Sequence, residues 1–469
     1  MTRLPLQAVL FDMDGTLVDT ERLWWEAVEQ VAGRPLTEAD RPQVLGRPVE
    51  YTAAWLAAAT GTPAAGLAAD LHQEFADRVR TGVVPRPGAL ELLDALAHER
   101  VPTALVTASP RSVADTVLEA LGGASRFAVS VTADDTEHTK PAPDPYLAAC
   151  RALGVHPASC VAVEDTETGV ASAEAAGCAV LAVPSLAPID PAPGRTVLPG
   201  LEGVTPARLR ALLPHRLRVM TWNLWYGGTK VHDHRAKQLK VITEADVDVV
   251  GLQETYGTAA HELAEALGWH HHSAGSNLGV ISRFPITAPL GDPDVGFYGA
   301  AGARIAVKDQ EVDVWTAHLD YEQYGPYASE PLAHEEVRLG QMRDTLRRIG
   351  GATPVVLVGD FNSPSHLDSP DVAWPVTKAA AEAGFGDSFR EARPDAVRDP
   401  GHTWSPVHAH PEPQDRIDFV LHRGLAVLDS RTYVSGTPRT WPDVEDNDWP
   451  SDHAAVITTF SLGSGRGTV

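Results

Sequence analysis

The sequence predicts an α/β protein of two domains. The first is a doubly wound parallel sheet with a helical cap, the second an α/β sandwich of two mixed sheets. Three observations lead there. The chain has 469 residues, more than one hydrophobic core usually organises at roughly 100–200 residues per domain. In the first half, short apolar runs alternate with helical patterns, as parallel strands joined by crossover helices do. In the second half, β-branched runs follow one another closely, separated by Gly, Pro, Asn and Asp, with few helical patterns between them.

Taken in order, AVLF (8–11) is the first strand and ends at Asp12. Residues 20–85 are helix-rich (ERLWWEAVEQVAG, YTAAWLAAATG, LAADLHQEFADRVR) and offer no strand, so they read as an inserted cap. Trp24 and Trp25 belong to the core of that cap, because large aromatics dominate burial. Strands follow at TALVTA, FAVSVTA, CVAVED and CAVLAV, with helical patterns such as RSVADTVLEALG and TGVASAEAAG among them. The first domain is thus 1–214. Its Pro-rich end, 185–215, reads as tail and linker with one short helix, TPARLRALL. The second domain, 216–463, carries strands at RLRVMTWNL, VDVVGLQE, LGVISRF, GARIAV, VDVWTAHLD, PVVLVGDFN, RIDFVLH and AAVITTF. Helical patterns lie at HDHRAKQLKVITEA and HEEVRLGQMRDTLRRI, and 464–469 is a tail.

Composition narrows the function. The net charge is −24. Residues 1–214 hold 16 basic and 27 acidic residues (net −11), and 215–469 hold 22 and 35 (net −13). Neither half has the basic excess that neutralises a phosphate backbone, which argues against a long nucleic acid as partner. No apolar run reaches the ~18 residues of a membrane span. The opening MTRLPLQAVLFDMDG is not patterned as a secretory signal. Three cysteines without CxxC spacing make a disulfide scaffold or zinc site unexpected. A cytoplasmic protein acting on small phosphorylated substrates is the expectation. The sequence is silent on oligomeric state. Arginine is common and lysine scarce, and Lys140 is the only lysine in residues 1–214.

In the first half, Asp12 and Asp14 flank Met13 just beyond a strand, where open α/β sheets bind ligands. An aspartate there can attack phosphorus and its neighbour can carry protons. Carboxylates approach an anionic phosphate only with a hard cation, most simply Mg²⁺. Later strands offer Thr107, Lys140, Glu164 and Asp165. The ordered motifs DMDGT (12–16), VTAS (106–109), Lys140 in HTKPAPDPY, and VEDTETG (163–169) resemble the haloacid dehalogenase superfamily, in its beta-phosphoglucomutase-like, Rossmann-like branch with a helical cap. The resemblance covers about 6–213. It implies Asp12 as nucleophile, Asp14 as acid/base, and Thr107 and Lys140 as phosphoryl holders. Mg²⁺ would be bound by Asp12, Asp165 and the Asp14 carbonyl, with Glu164 in support. Phosphatases and sugar-phosphate mutases share these motifs, so both activities stay open.

In the second half, polar islands stand at strand ends: Asn223 in TWN, Glu254 in LQET, His318 in TAHLD, Asp360 and Asn362 in GDFN, Asp418 in RIDFVL, and Asp452-His453 in SDH. Carboxylates and amides suit Mg²⁺ or Mn²⁺ better than zinc, and histidines beside carboxylates suit general-base work. The set describes metal-assisted attack of water on phosphorus. It resembles the endonuclease/exonuclease/phosphatase superfamily over about 216–463. The resemblance implies Glu254 as principal metal ligand with Asn223 and Asp452 close by, and one metal site in each domain. His453 and Asp360 would be catalytic, Asp418 would orient His453, and Asn362 and His318 would contact the phosphate. Trp225 stands where apurinic endonucleases have an acid, a departure from that branch. His270, His271 and His272 read as loop or edge-strand residues, because neighbours in an extended segment point apart. Arg283 reads as structural, while Tyr321 and Tyr324 could reach a substrate phosphate.

The reading is a bifunctional Mg²⁺-dependent phosphoric ester hydrolase. Its N-terminal domain is a phosphomonoesterase working through an aspartyl-phosphate. Its C-terminal domain acts on a phosphodiester or phosphoester of a small metabolite, nucleotide or lipid headgroup. The alternatives are a nuclease that processes DNA ends, a mutase activity in the first domain, and one domain serving as a non-catalytic module.

Overall fold

The computed structural model describes residues 3–462 except 46, 48, 309, 328–329, 331, 352–353, 369–370 and 409–413. The tail at 464–469 lies outside the described residues. The chain divides into two compact units, 1–215 and 216–462.

Unit 1 is built on strands β1 (Ala8–Phe11), β2 (Thr103–Val106), β3 (Val129–Val131), β4 (Cys160–Glu164), β5 (Ala179–Ala182) and β6 (Arg195–Val197). They form one parallel sheet in the order β3-β2-β1-β4-β5-β6. The central strands β1, β2, β4 and β5 are buried along their whole length, which is why they read as unbroken apolar runs. Helices α1 (Glu21–Ala32), α2 (Arg41–Val44), α3 (Val49–Thr60) and α4 (Ala64–Gly82) intervene between β1 and β2. They close on their own apolar cluster of Val28, Val44, Leu56, Leu67 and Leu71. Trp24 and Trp25 pack against that cluster, and the Trp24 indole donates to the Val44 carbonyl at 2.9 Å. The three cysteines are free thiols buried in this unit.

The segment expected to be tail and linker differs. Residues 195–197 form β6, paired in parallel with β5, whereas the short helix at Pro206–Arg210 is as expected. Leu198 N–H donates to Ala182 O at 2.9 Å, and Ile189 is buried in the sheet's core. The prolines flank the strand instead of interrupting it. The composition of the segment therefore concealed a sixth strand.

Unit 2 has two six-stranded sheets. The strands are β7 (His215–Asn223), β8 (Val249–Gln253), β9 (His270–Ala274), β10 (Leu278–Ser282), β11 (Ile286–Gly291), β12 (Gly299–Val307), β13 (Gln310–His318), β14 (Val355–Asp360), β15 (Gly386–Asp387), β16 (Asp418–Arg423), β17 (Ala426–Tyr433) and β18 (Ala455–Leu462). One sheet runs β17-β18-β7-β8-β10-β9, the other β11-β12-β13-β14-β16-β15. Both are mixed: β7 with β8 and β13 with β14 are parallel, the other defined pairs antiparallel. Val219, Val249 and Val280 of one sheet meet Val314, Val356 and Val358 of the other in a shared core. That aliphatic layer fixes which face of each strand turns inward. His270–His272 lie on β9, the edge of its sheet, as expected.

Candidate active sites

In unit 1 the site gathers where β1, β2 and β4 end. Asp12 follows β1 directly, and its N–H donates to Val163 O at 2.9 Å. Lys140 Nζ reaches across the strand ends and donates to Asp12 Oδ1 at 2.7 Å, Glu164 Oε1 at 2.5 Å and Val106 O at 2.8 Å. Tyr146 donates its hydroxyl to the same Glu164 oxygen at 2.5 Å. Burial disfavours the charged lysine, but Asp12 and Glu164 outweigh this and hold it firmly as ammonium. Asp14 accepts from Thr20 at 2.6 Å, Ser109 at 2.7 Å and Thr107 at 3.2 Å. Burial, and then the nearby Asp12 carboxylate, raise its pKa, as suits a group that must hold a proton before giving it up.

Asp165 accepts from Ser185 at 2.5 Å and from Thr16 at 3.3 Å. Gly15 makes room for it. With φ at +79°, a Cβ there would lie 2.0 Å from Asp165 Oδ2, so glycine is required on both conformational and steric grounds. The structure therefore brings all six predicted residues of unit 1 together.

In unit 2, strand register assembles the site. His318, Asp360 and Asp418 are consecutive partners across β13, β14 and β16. Paired residues share a sheet face, so the three side chains stand in a row. His453, two residues before β18, closes the row: its Nδ1 lies 2.8 Å from Asp418 Oδ2 and its Nε2 3.6 Å from Asp360 Oδ2. Burial opposes charge on His453, yet Asp418 and Asp360 overcome it and raise its pKa well above the usual value. His318 is the opposite case. Burial first, then the charge on His453, lower its pKa to about 3, so it is neutral at physiological pH. Its Nδ1 lies 2.7 Å from the Asn277 amide nitrogen.

On the other sheet, Asn223 ends β7 and its Nδ2 donates to Glu254 Oε1 at 3.2 Å and Asp360 Oδ2 at 3.0 Å. Glu254 accepts from Tyr226 N–H at 2.6 Å. Burial, and to a lesser degree Asp452, raise its pKa. Asn362 N–H donates to Asp360 Oδ1 at 2.9 Å and its side chain donates to Leu319 O at 3.0 Å. Asp452 is buried beside His453, with 3.9 Å between Oδ1 and Nε2.

Residues 6–177 match the haloacid dehalogenase-like hydrolase model, and residues 220–453 match the endonuclease/exonuclease/phosphatase family. The chain belongs to both families. An uncharacterized protein of Caenorhabditis elegans is 33% identical over 292 residues, 52% of this chain and 91% of that one. Validoxylamine A 7'-phosphate phosphatase of Streptomyces hygroscopicus subsp. limoneus is 35% identical over 175 residues, 36% of this chain and 82% of its own. Fructose-1-phosphate phosphatase of Escherichia coli is 32% identical over 174 residues, 36% of this chain and 92% of its own. Both halves are thus hydrolase domains of phosphoester-cleaving families.

Divalent metals are typical of both families. In the dehalogenase-like domain, ligand oxygens of Asp12, Glu164 and Asp165 lie within 4.8 Å of one another, and Glu164 Oε2 is buried without a hydrogen-bond partner. This hard-oxygen set fits Mg²⁺ or Mn²⁺. In the endonuclease/exonuclease/phosphatase-like domain, Asp360, Asp418 and His453 are equally close. His453 Nδ1, however, is occupied by Asp418, so that trio reads as a proton relay. Glu254 and Asp452 are better placed for a cation, since Asp452 Oδ1 is buried without a hydrogen-bond partner and the two acids repel each other's charge.

Sequence reasoning missed several partners. Ser109 and Tyr146 stood inside quoted motifs, VTAS and HTKPAPDPY, and their hydroxyls were the available signal. Thr20 had none because it lies beyond the DMDGT motif, six residues after Asp14, and Ser185 and Asn277 had none because their roles depend on chain segments more distant in sequence.

Proposed function

We propose that the chain is a bifunctional, divalent-metal-dependent phosphoric ester hydrolase. The dehalogenase-like domain is a phosphomonoesterase in which Asp12 attacks phosphorus. Asp14 gives a proton to the leaving group and later takes one from water, while Thr107 and Lys140 hold the transferred group. Lys140, placed between Asp12 and Glu164, is the observation that carries this reading, because it sets a cation directly against the nucleophile and beside the phosphoryl site. Asp12, Asp165 and Glu164 would hold the metal, which supplies charge neutralisation. A small phosphorylated carbohydrate is the favoured substrate, in keeping with the validoxylamine and fructose phosphatases to which this half is similar.

The second domain cleaves a phosphodiester or phosphoester by direct attack of water. Asp360 positions or deprotonates the water. His453, charged and fixed by Asp418, stabilises the growing charge on phosphorus. Neutral His318 and Asn362 hydrogen-bond the phosphate oxygens. Glu254, Asn223 and Asp452 would hold the cation. The two domains act in series, the second producing a monoester that the first dephosphorylates.

The test is a screen of intact protein on phosphomonoesters and phosphodiesters with Mg²⁺, followed by two variants on the best diester. His453→Ala should stop all phosphate release, and Asp12→Asn should let the monoester accumulate. Unchanged release of inorganic phosphate by Asp12→Asn would defeat the series model. Normal turnover of the best monoester by Asp12→Asn would defeat the aspartyl-phosphate.

A further inference from the structure

Three strand ends that carry site residues in the second domain are each followed, within three residues, by an outward-facing tyrosine. Tyr226 follows Asn223, Tyr256 follows Glu254, and Tyr321 follows His318; they are 48%, 46% and 59% exposed. The rings are not scattered. Tyr226 and Tyr256 lie 5.5 Å apart between centroids, Tyr256 and Phe297 5.9 Å, Phe297 and Tyr298 5.1 Å, and Tyr298 and Tyr321 6.0 Å. Tyr298 also lies 5.2 Å from the His318 ring. The result is a continuous aromatic wall running from beside Glu254 to His318.

The backbone holds this wall outward at a cost. Trp225, Tyr226, Glu254 and Tyr256 all have left-handed φ, +54°, +53°, +56° and +47°. Bulky residues seldom adopt that region without a surrounding structure that demands it. Here hydrogen bonds from Tyr226 N–H to Glu254 Oε2 (2.6 Å) and from Gly227 N–H to Glu254 O (2.8 Å) clamp the two loops together. At one end, Lys230 Nζ sits 4.8 Å over the Tyr226 ring, adding an exposed positive charge. Tyr324, the other tyrosine past His318, turns elsewhere and packs by Trp404 at 6.4 Å.

We propose that Tyr226, Tyr256 and Tyr321 form a subsite for a flat aromatic ring carried by the substrate's organic part, of the kind a nucleobase presents. Lys230 would meet a further negative charge on the same ligand. Exposed π-faces beside a phosphoester site gain most from a ring that stacks, and a cation at the wall's end favours an anionic ligand. The inference rests on the reading of this domain as a phosphoesterase and narrows its substrate to small nucleotide-like esters.

Two diesters with the same leaving group test it: p-nitrophenyl thymidine 5′-phosphate and methyl p-nitrophenyl phosphate. The wild-type protein should show at least a tenfold lower KM for the thymidine ester. Tyr226→Ala and Tyr256→Ala should each raise that KM by about tenfold, the scale of one lost stacking contact, and leave the methyl ester unaffected. Tyr226→Phe should behave as wild type. Equal KM for the two esters, or equal losses on both in the alanine variants, overturns the subsite. Binding of thymidine 5′-monophosphate, followed by ligand-observed NMR, separates the two readings. Binding that Tyr226→Ala abolishes, with neither diester cleaved, keeps the subsite and sinks the phosphodiesterase. Cleavage of the methyl ester with no nucleotide binding does the reverse.

Discussion

Replacing Lys140 with methionine should damage stability as well as chemistry. The lysine side chain is 5% exposed and its ammonium contacts Asp12 and Glu164, whose side chains are 10% and 1% exposed. Methionine keeps the length of the side chain and removes the charge. Two buried carboxylates would then face each other without compensation. Removing one member of a buried ion pair typically costs about 3–5 kcal/mol, against total stabilities of roughly 5–15 kcal/mol. Lys140→Met should therefore lower the stability of the first domain by about 3–5 kcal/mol, whereas loss of a lysine that only awaits substrate would shift it by roughly 0.5 kcal/mol. Amide exchange on the full chain in increasing urea, read on peptides containing β1 and β4, isolates this domain. Adding Glu164→Gln should recover at least about 1 kcal/mol of the loss, because one of the stranded charges is gone. Additive effects of the two substitutions, or a loss below about 1 kcal/mol, would refute the argument.

Three further outcomes are expected. His318 has a folded pKa of about 3 against 6.5 unfolded, so below pH 6.5 the unfolded chain takes up a proton that the fold refuses. Its contribution is full above that pH and should fall by about 1–2 kcal/mol between pH 7.5 and 5.5, and in urea titrations His318→Gln should lack that part of the pH dependence. Gly15→Ala should cost more than about 1 kcal/mol and most of the monoesterase activity, since its Cβ would displace Asp165; full activity on the best monoester would show that Asp165 can move freely. EDTA should abolish both activities and Mg²⁺ or Mn²⁺ restore them, whereas a full equivalent of zinc by elemental analysis would contradict the ligand assignment.

Much of this was legible in the sequence because the chemistry sits at strand ends. A buried strand is an unbroken apolar run, so the first polar residue after it is conspicuous: Asp12 after AVLF, Asp360 after VVLVG. What the sequence could not show was register. That His318, Asp360 and Asp418 stand side by side follows from pairing among strands separated by up to a hundred residues, which no local pattern encodes. Strand β6 was hidden for a different reason, since its three half-buried residues lie among prolines and carry no periodicity. Edge strands β11 and β17 were missed likewise, because partial burial weakens the apolar signal. The hydroxyls on Asp14 illustrate the general limit: Ser109 was readable only as a neighbour of Thr107, and Thr20 not at all.

Lys140 has one more consequence. It is the only lysine among the first 214 residues, and it is enclosed. An amine-selective acylating reagent therefore finds no accessible lysine on the first domain while that domain is closed. Any acyl group that appears at position 140 must have entered during an opening that separates Lys140 from Asp12 and Glu164. The rate of labelling at this single position, followed by mass spectrometry, thus becomes a clock for the breathing of the catalytic centre, with the second domain's five lysines as an internal standard for reagent strength.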